Sequence, residues 1–251
     1  MKPIRNLGLE NSIFNHFIAE LRSENAQRDS MRFRRNLERL GEIFAYEISK
    51  QMDYVKRDVT TPLGIANMKL LKEKPVLATI LRAGLPLHQG LLNYFDDSEN
   101  AFISAFRKHY RDGSFEIQVD YMSAPDLNGR TLIIADPMLA TGKSMILAYE
   151  ELLNNGKPKH THIVCAIASA QGIEYLQKHL SPTKCTIWVG AVDDELTANS
   201  YIVPGLGDAG DLAYGNKLND NFPFYPVFQS KQGKKYYTSQ VILKNKNTEY
   251  Q

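Results

Sequence analysis

The sequence predicts an α/β fold: a parallel twisted sheet flanked by helices, with an N-terminal helical segment and a projecting β-hairpin arm. From Pro75 onward, short apolar runs alternate with helix-length amphipathic segments. That texture suits strands buried on both faces and joined by helical crossovers. The arm rests on Asp112-Gly113, which lies between Lys108–Arg111 and the alternating Ser114–Val119, a pattern that favours a two-residue hairpin.

Residues 1–60 read as a helical segment packed on the core. Phe33, Leu37, Leu40 and Phe44 recur at helical spacing, and Arg32, Arg35 and Arg39 fall on another face, which reads as solvated charge rather than an anion site. The core spans 61–216. Its candidate strands are Val76–Leu81, Ala101–Phe106, Thr131–Ala135, Ile163–Ala168 and Cys185–Val189, with Ser144–Asn155 and Gln171–His179 as crossover helices. The arm covers about 107–125 and a glycine-rich segment covers 201–211. Residues 217–251 form a C-terminal extension with six lysines, two acids, aromatics across Phe222–Phe228 and a strand-like Tyr236–Leu243.

A chain of 251 residues, 43% hydrophobic and 23% charged, is neither collagen-like, wholly disordered nor a disulfide scaffold. Thirty Lys and Arg against 28 Asp and Glu leave +2, too little for a dedicated nucleic-acid binder, so nucleic acid is not among the expected partners. A local site for a small anion stays open. Cys165 and Cys185 sit in apolar runs and read as buried thiols of a reducing compartment. No stretch reads as a signal peptide or reaches the ~20 apolar residues of a membrane span. The expected location is therefore the cytoplasm, with no membrane partner. The histidines show no metal-ligand pattern, and His160-x-His162 reads as a solvated loop ahead of a strand.

In parallel sheets ligands collect beyond the carboxyl ends of the strands. After Leu132–Ala135 come Asp136, Pro137, Met138, Leu139, Ala140, Thr141, Gly142, Lys143 and Ser144, then a helix. A strand, a small-residue turn and a helix start bring free N–H groups and the positive end of the helix dipole together, which suits a phosphate. Thr141 and Ser144 can donate to it, and Asp136 can accept from sugar hydroxyls. Taken alone, the segment can also be read as a tight strand-to-helix turn. Gly142-Lys143-Ser144 imitates the end of a nucleotide-triphosphatase loop, but Pro137 occupies the position where that motif needs its first glycine.

Arg82, just after Val76–Leu81, and Arg107, just after Ala101–Phe106, put guanidinium groups at successive strand exits, where bidentate donation suits a diphosphate. The third element runs from Tyr201 to Asp211. Gly205, Gly207 and Gly210 let main-chain groups approach something flat, such as a nucleobase edge; a plain connection is the alternative reading. No Ser/His/Asp arrangement stands out, so the chemistry reads as charge neutralisation and positioning.

Taken in order, Ile80-Leu81-Arg82-Ala83-Gly84, Asp136–Gly142 and Tyr201–Asp211 closely resemble the uracil phosphoribosyltransferases. Lesser agreement at Leu21-Arg22, Phe33-Arg34, Tyr46-Glu47 and Thr61–Gly64 extends the likeness to about residues 12–216. The resemblance implies a type I phosphoribosyltransferase fold and transfer of the phosphoribosyl group of 5-phosphoribosyl 1-diphosphate to uracil, giving UMP and diphosphate in pyrimidine salvage. It implies Mg2+ arriving with the diphosphate, so that no protein metal ligands are assigned. Its catalytic residues would be Arg82, Arg107, Asp136 and Asp208. Both arginines would hold the diphosphate, Asp136–Ser144 would cradle the ribose and 5′-phosphate, and Asp208 would contact that substrate or its metal. Tyr201, Ile202, Gly207, Asp208 and Ala209 would hold uracil, chiefly through main-chain atoms.

Lys143 stands where the family usually has a second glycine, and a lysine there is similar to the phosphate loop of the purine phosphoribosyltransferases. The arm reads Lys108–Arg111 and Ser123-Ala124-Pro125 in place of the family's usual runs, and Leu212-Ala213-Tyr214 replaces a more usual basic residue and Phe. The resemblance also implies a homodimer at least and makes GTP a candidate activator. Two rival functions stay open: transfer to another base, and a non-catalytic sensor of UMP or phosphoribosyl diphosphate.

Overall fold

Apolar runs with no polar face must be covered on both sides, and they form the middle of one sheet. The computed structural model describes residues 4–109, 115–216, 227–231 and 234–238, with side chains over 4–104 and 119–216. In chain order, β1 (Ile4–Asn6) precedes α1 (Ile13–Arg22), α2 (Ser30–Ser49), β2 (Tyr54–Thr61), β3 (Gly64–Leu71), β4 (Val76–Leu81) and α3 (Leu85–Tyr94). Next come β5 (Asn100–His109), β6 (Phe115–Ser123), β7 (Thr131–Ala135), β8 (Met138–Leu139) and α4 (Lys143–Leu152). The unit Met1–Asn216 ends with β9 (His160–Ser169), α5 (Ala170–His179), β10 (Cys185–Asp193), β11 (Glu195–Leu196), β12 (Ile202–Val203) and α6 (Ala209–Tyr214).

The strand order is β1-β10-β9-β7-β4-β5-β6, with β8 also on β9. Neighbours run parallel except β5 and β6, which pair antiparallel out to His109↔Phe115. That pair is the predicted hairpin arm; its Asp112-Gly113 turn lies outside the described residues.

Period-two alternation divides each central strand between two cores. Leu77, Ile133, Val164 and Trp188 join Phe14, Phe33, Phe44 and Leu91 of α1, α2 and α3. Ala78, Ile134, Ile163 and Val189 join Met145, Ile146 and Leu176 of α4 and α5 on the opposite face. Phe14 meets Phe44 edge to face at 5.3 Å, and truncating either to Ala would cost about 3–5 kcal/mol. Cys165 and Cys185 are both free and buried.

Residues 1–60 are not helical throughout. β1 lies on the sheet edge with Ile4 opposite Ile187, and the β2–β3 hairpin crosses the expected border at residue 60. Three residues are too few to show a period, and the hairpin is exposed along most of its length, so neither leaves a strong apolar pattern. The arginine face of α2 is engaged rather than merely solvated: Arg32 pairs with Glu20 at 2.6 Å and Arg35 with Glu38 at 2.7 Å. Hydrogen bonding from Arg32, aided by Asn36, brings the Glu20 pKa down to about 2.

His160 and His162 belong to β9 rather than to a solvated loop. Buried His162 accepts from Trp188 Nε1–H at 3.0 Å through Nδ1, and burial pushes its pKa down to about 3. It therefore acts as a neutral core histidine. In the unit Lys217–Gln251, β13 (Val227–Lys231) and β14 (Lys234–Thr238) form an antiparallel hairpin. The expected strand Tyr236–Leu243 overlaps it as far as Thr238, and the remainder lies outside the described residues.

Candidate active site

Two adjacent strands bring the first two motifs to one edge. Thr79 of β4 pairs with Ala135 of β7, and Thr79 Oγ1 donates to Ala135 O at 3.2 Å. Arg82 and Asp136 therefore leave the sheet side by side at its carboxyl end. Arg82 Nη2 pairs with Asp211 Oδ1 at 2.5 Å and Nη1 donates to Gly215 O at 3.2 Å. Its buried Nε–H has no hydrogen-bond partner among the described residues. Arg107 lies on β5 past the last β4 pair, Leu81↔Ser104; its side chain is outside the described ones.

Asp136 follows β7 directly. Desolvation lifts its pKa to about 7 against the opposing effect of the Met138 N–H, which donates to Oδ1 at 3.4 Å. Of the predicted cradle, Pro137, Met138 and Leu139 are drawn into the sheet. Pro137 O accepts from Ile167 N–H at 3.0 Å, and Met138 and Leu139 form β8 opposite Ile167 and Ala168. The rest of the expected cradle, Ala140–Ser144, continues from β8 into the start of α4.

Ser169, which no motif in the sequence marks, braces that stretch. Its buried Oγ donates to Ala140 O at 2.6 Å and accepts from Gly172 N–H at 2.8 Å. Gly142 caps α4 at φ +78 with no side-chain cap, and an added Cβ would lie 2.8 Å from Leu176. The left-handed conformation and the contact both require glycine. Exposed Lys143 and half-buried Ser144 open α4, whose first N–H groups form the dipole end suited to an anion. Thr141 Oγ1 is within 3.5 Å of Lys143 N.

The glycine-rich segment 201–211 leads into α6, which packs on α2. Ile202 is buried and pairs with Leu196, so its side chain serves the core. Tyr201 is 48% exposed and exchanges hydrogen bonds with Thr197. The Val203–Pro204 peptide is cis, as is Leu81–Arg82. Gly205 and Gly207 have φ of +56 and +96, and Asp208 caps α6 by accepting from Asp211 N–H at 3.0 Å. Ala209 is buried.

Side chains far away in sequence hold this segment. Arg22 grips Asp193 through both nitrogens at 2.7 and 2.8 Å, and Nη1 also donates to Gly205 O at 3.0 Å. Asp193 Oδ2 accepts from Gly205 N–H at 2.9 Å. Burial opposes the Asp193 charge, but hydrogen bonds from Arg22 and Gly205 outweigh it and lower the pKa. Arg34 donates to Ala213 O at 2.6 Å and sits 5.9 Å from the Tyr214 ring centroid, which gives the unusual Tyr214 a partner. Arg22 and Arg34 belong to the resemblance without an assigned role; Asp193 carried no signal beyond its place at the end of an apolar run.

Arg82, Asp136 and segment 201–211 thus meet at one end of the sheet. A family model described as uracil phosphoribosyltransferase matches residues 9–216. Relatives that carry that name include one from Porphyromonas gingivalis, 55% identical over 85% of this chain and 98% of its own length, and one from Pyrococcus furiosus, 37% identical over 80% and 85%. The solved AQ2163 protein from Aquifex aeolicus superposes with a TM-score of 0.74 at 30% identity, covering 84% of this chain and 98% of that one. The chain belongs to the uracil phosphoribosyltransferase family.

Proposed function

We propose that this protein transfers the phosphoribosyl group of 5-phosphoribosyl 1-diphosphate to uracil, releasing UMP and diphosphate. The observation that carries the reading is the environment of Arg82. One of its nitrogens ties to Asp211 of segment 201–211 while its buried Nε–H has no partner among the described residues, at the strand end beside Asp136. A buried, unsatisfied cationic donor is costly unless something occupies it, and a diphosphate oxygen has the charge and geometry to do so.

Breaking the bond from C1 to diphosphate builds positive charge on the ribose and negative charge on the leaving group. Arg82, joined by Arg107, neutralises the latter. Ionised Asp136 accepts from ribose hydroxyls, and Ala140–Ser144 hold the 5′-phosphate through N–H and hydroxyl donors. Among the described residues no three acidic, His or Cys side chains cluster to hold a metal by themselves. Half-buried Asp208, whose carboxylate also caps α6, fits Mg2+ that keeps phosphate and water oxygens as its other ligands. Such an ion would supply charge neutralisation on the diphosphate.

Uracil offers an acceptor, a donor and an acceptor along O2, N3–H and O4. The main chain of Tyr201, Ile202, Gly207, Asp208 and Ala209 supplies the complement, and cytosine mismatches at two of those positions. The proposed assembly is a homodimer at least. One face of the β2–β3 hairpin exposes Val59, Met68 and Leu70, an apolar surface that such an assembly would cover. The proposed setting is cytoplasmic; no helix among the described residues is long and apolar enough to cross a membrane.

The test is UMP formation from uracil and phosphoribosyl diphosphate with magnesium, beside cytosine, hypoxanthine and no-base controls and with GTP present or absent. Uracil-dependent turnover is the expected outcome. Equal turnover of cytosine would defeat the base assignment, and tight phosphoribosyl diphosphate binding without any turnover would favour a sensor.

A further inference from the structure

We propose that Arg22 and Asp193 are positioning residues for base recognition: together they clamp both polar groups of the Gly205 peptide unit and thereby fix the main-chain edge that reads uracil. The inference rests on the proposed role of residues 201–209.

Gly205 is the one residue of that segment held on both its N–H and its C=O by this pair. Asp193 Oδ2 takes the N–H at 2.9 Å, and Arg22 Nη1 gives to the carbonyl at 3.0 Å. The two side chains close on each other at 2.7 and 2.8 Å, so neither can move without releasing the other or the glycine. Asp193 is only 7% exposed, and each end of the clamp is anchored in a separate element, Arg22 as the last residue of α1 and Asp193 as the last of β10. Gly205 adopts φ +56, a conformation that leaves a segment of small residues little stiffness of its own.

Buried ion pairs contribute little net stability, because desolvation offsets their attraction; their best-supported use is to specify one geometry. Main-chain recognition needs that service. Hydrogen bonds to a base weaken steeply with misalignment, and backbone donors cannot re-aim by changing rotamer. Gly207 and Ala209 follow the clamp closely in the chain, and Gln27, whose amide donates to Arg22 O at 3.4 Å, lies beside Gly207. The far end of the segment is pinned independently by the Arg82–Asp211 pair and the Asp208 cap. Loss of the clamp should therefore disturb the base more than the phosphoribosyl substrate.

The experiment compares Asp193→Asn and Arg22→Lys with wild type in steady-state kinetics, varying each substrate in turn, with melting temperature recorded alongside. Asp193→Asn should raise KM for uracil about tenfold and leave KM for phosphoribosyl diphosphate within about twofold, the scale of one lost charge-assisted hydrogen bond. Arg22→Lys keeps the charge that Asp193 needs but cannot satisfy Asp193 and Gly205 together, so it should show the same split at smaller amplitude. It carries the test if Asp193→Asn fails to fold. Equal rises in both KM values, or a lowered melting temperature with unchanged KM values, would reduce the pair to general scaffolding and overturn the proposal. A wild-type protein that forms no UMP removes the base-reading role and the clamp together. Wild-type turnover with an unchanged uracil KM in both variants overturns the clamp alone.

Discussion

The turn Ala140–Ser144, the proposed phosphate site, and segment 201–211, the proposed base site, lie at the same end of the sheet and are held by opposite means. Ala140–Ser144 is fixed from close by: a left-handed glycine, the start of α4, and the Ser169 hydroxyl on the neighbouring strand. The base segment is fixed by charge from a distance, through Arg22, Arg34 and Arg82 reaching Asp193, Gly205, Ala213 and Asp211. A phosphate brings its own charge and needs open N–H groups, so rigid local backbone suffices. A neutral base brings only hydrogen-bond directions, so the backbone that reads it has to be braced from outside.

Arg82 holds segment 201–211 through Asp211 and is the proposed diphosphate donor, and its removal should have the largest effect. Arg82→Ala takes away a diphosphate donor and unpins α6 in one step. We expect kcat to fall by about 10²–10³, the scale of losing one preorganised donor to a developing anion, with uracil affinity weakened as well. If uracil affinity in Arg82→Ala equals wild type, the link from Arg82 to the base segment carries no energy and the two regions are independent. Gly142→Val should follow, since it forces a β-branched residue to φ +78 and toward Leu176, costing about 1–3 kcal/mol in strain. KM for phosphoribosyl diphosphate should rise about tenfold while KM for uracil holds. That is the mirror image of the Arg22 and Asp193 variants, and a rise in both would erase the distinction between local and distant support.

The same contrast decides what was legible in the sequence. Val76–Leu81 and Thr131–Ala135 are strands at those limits, because burial on both faces leaves an unbroken apolar run with sharp polar ends. The turn around Gly142 into α4 is legible because its determinants are contiguous. The glycines of 205–210 showed that the chain bends closely there, but not what holds the bend. Arg22 and Asp193 are separated by 171 positions, and a charged residue ending a helix looks the same in sequence whether it meets water or a buried carboxylate. The two-residue strand β8 is hidden for a related reason: it is too short to announce itself, and only its register with Ile167 and Ala168 reveals it. The β2–β3 hairpin was missed because most of its residues, Ile65 and Met68 among them, stay exposed.

Asp136 sharpens the comparison through pH. Burial lifts its folded pKa to about 7, so the neutral form favours the folded chain. That contribution is fully present below about pH 4, where the unfolded carboxyl titrates, and is lost as pH rises through about 7. Asp136→Asn should therefore gain in melting temperature relative to wild type between pH 4 and pH 8. Binding should run the other way, since only the ionised form accepts two ribose hydroxyls. The wild-type to Asp136→Asn ratio of phosphoribosyl diphosphate affinities should climb about tenfold between pH 6 and pH 8, one unit of linked titration, and comparing the two proteins cancels the ligand's own ionisation. A flat ratio would place Asp136 outside the ribose site.

The smallest effect expected is at Lys143. It is exposed as the first residue of α4, where a positive side chain opposes the helix dipole yet can reach a bound phosphate. Lys143→Gly removes a screened surface charge and installs the residue more usual in the family, so the fold should persist with little change in melting temperature. Exposed ion pairs are worth about 0–1 kcal/mol, so KM for phosphoribosyl diphosphate should rise no more than about fivefold, and the rise should shrink at high salt. The Gly142 backbone conformation resists salt and the Lys143 charge does not, so the salt dependence separates the two contributions to the same turn. An affinity unchanged at low salt would show that Lys143 points away from the phosphate and that backbone alone serves that side of the site.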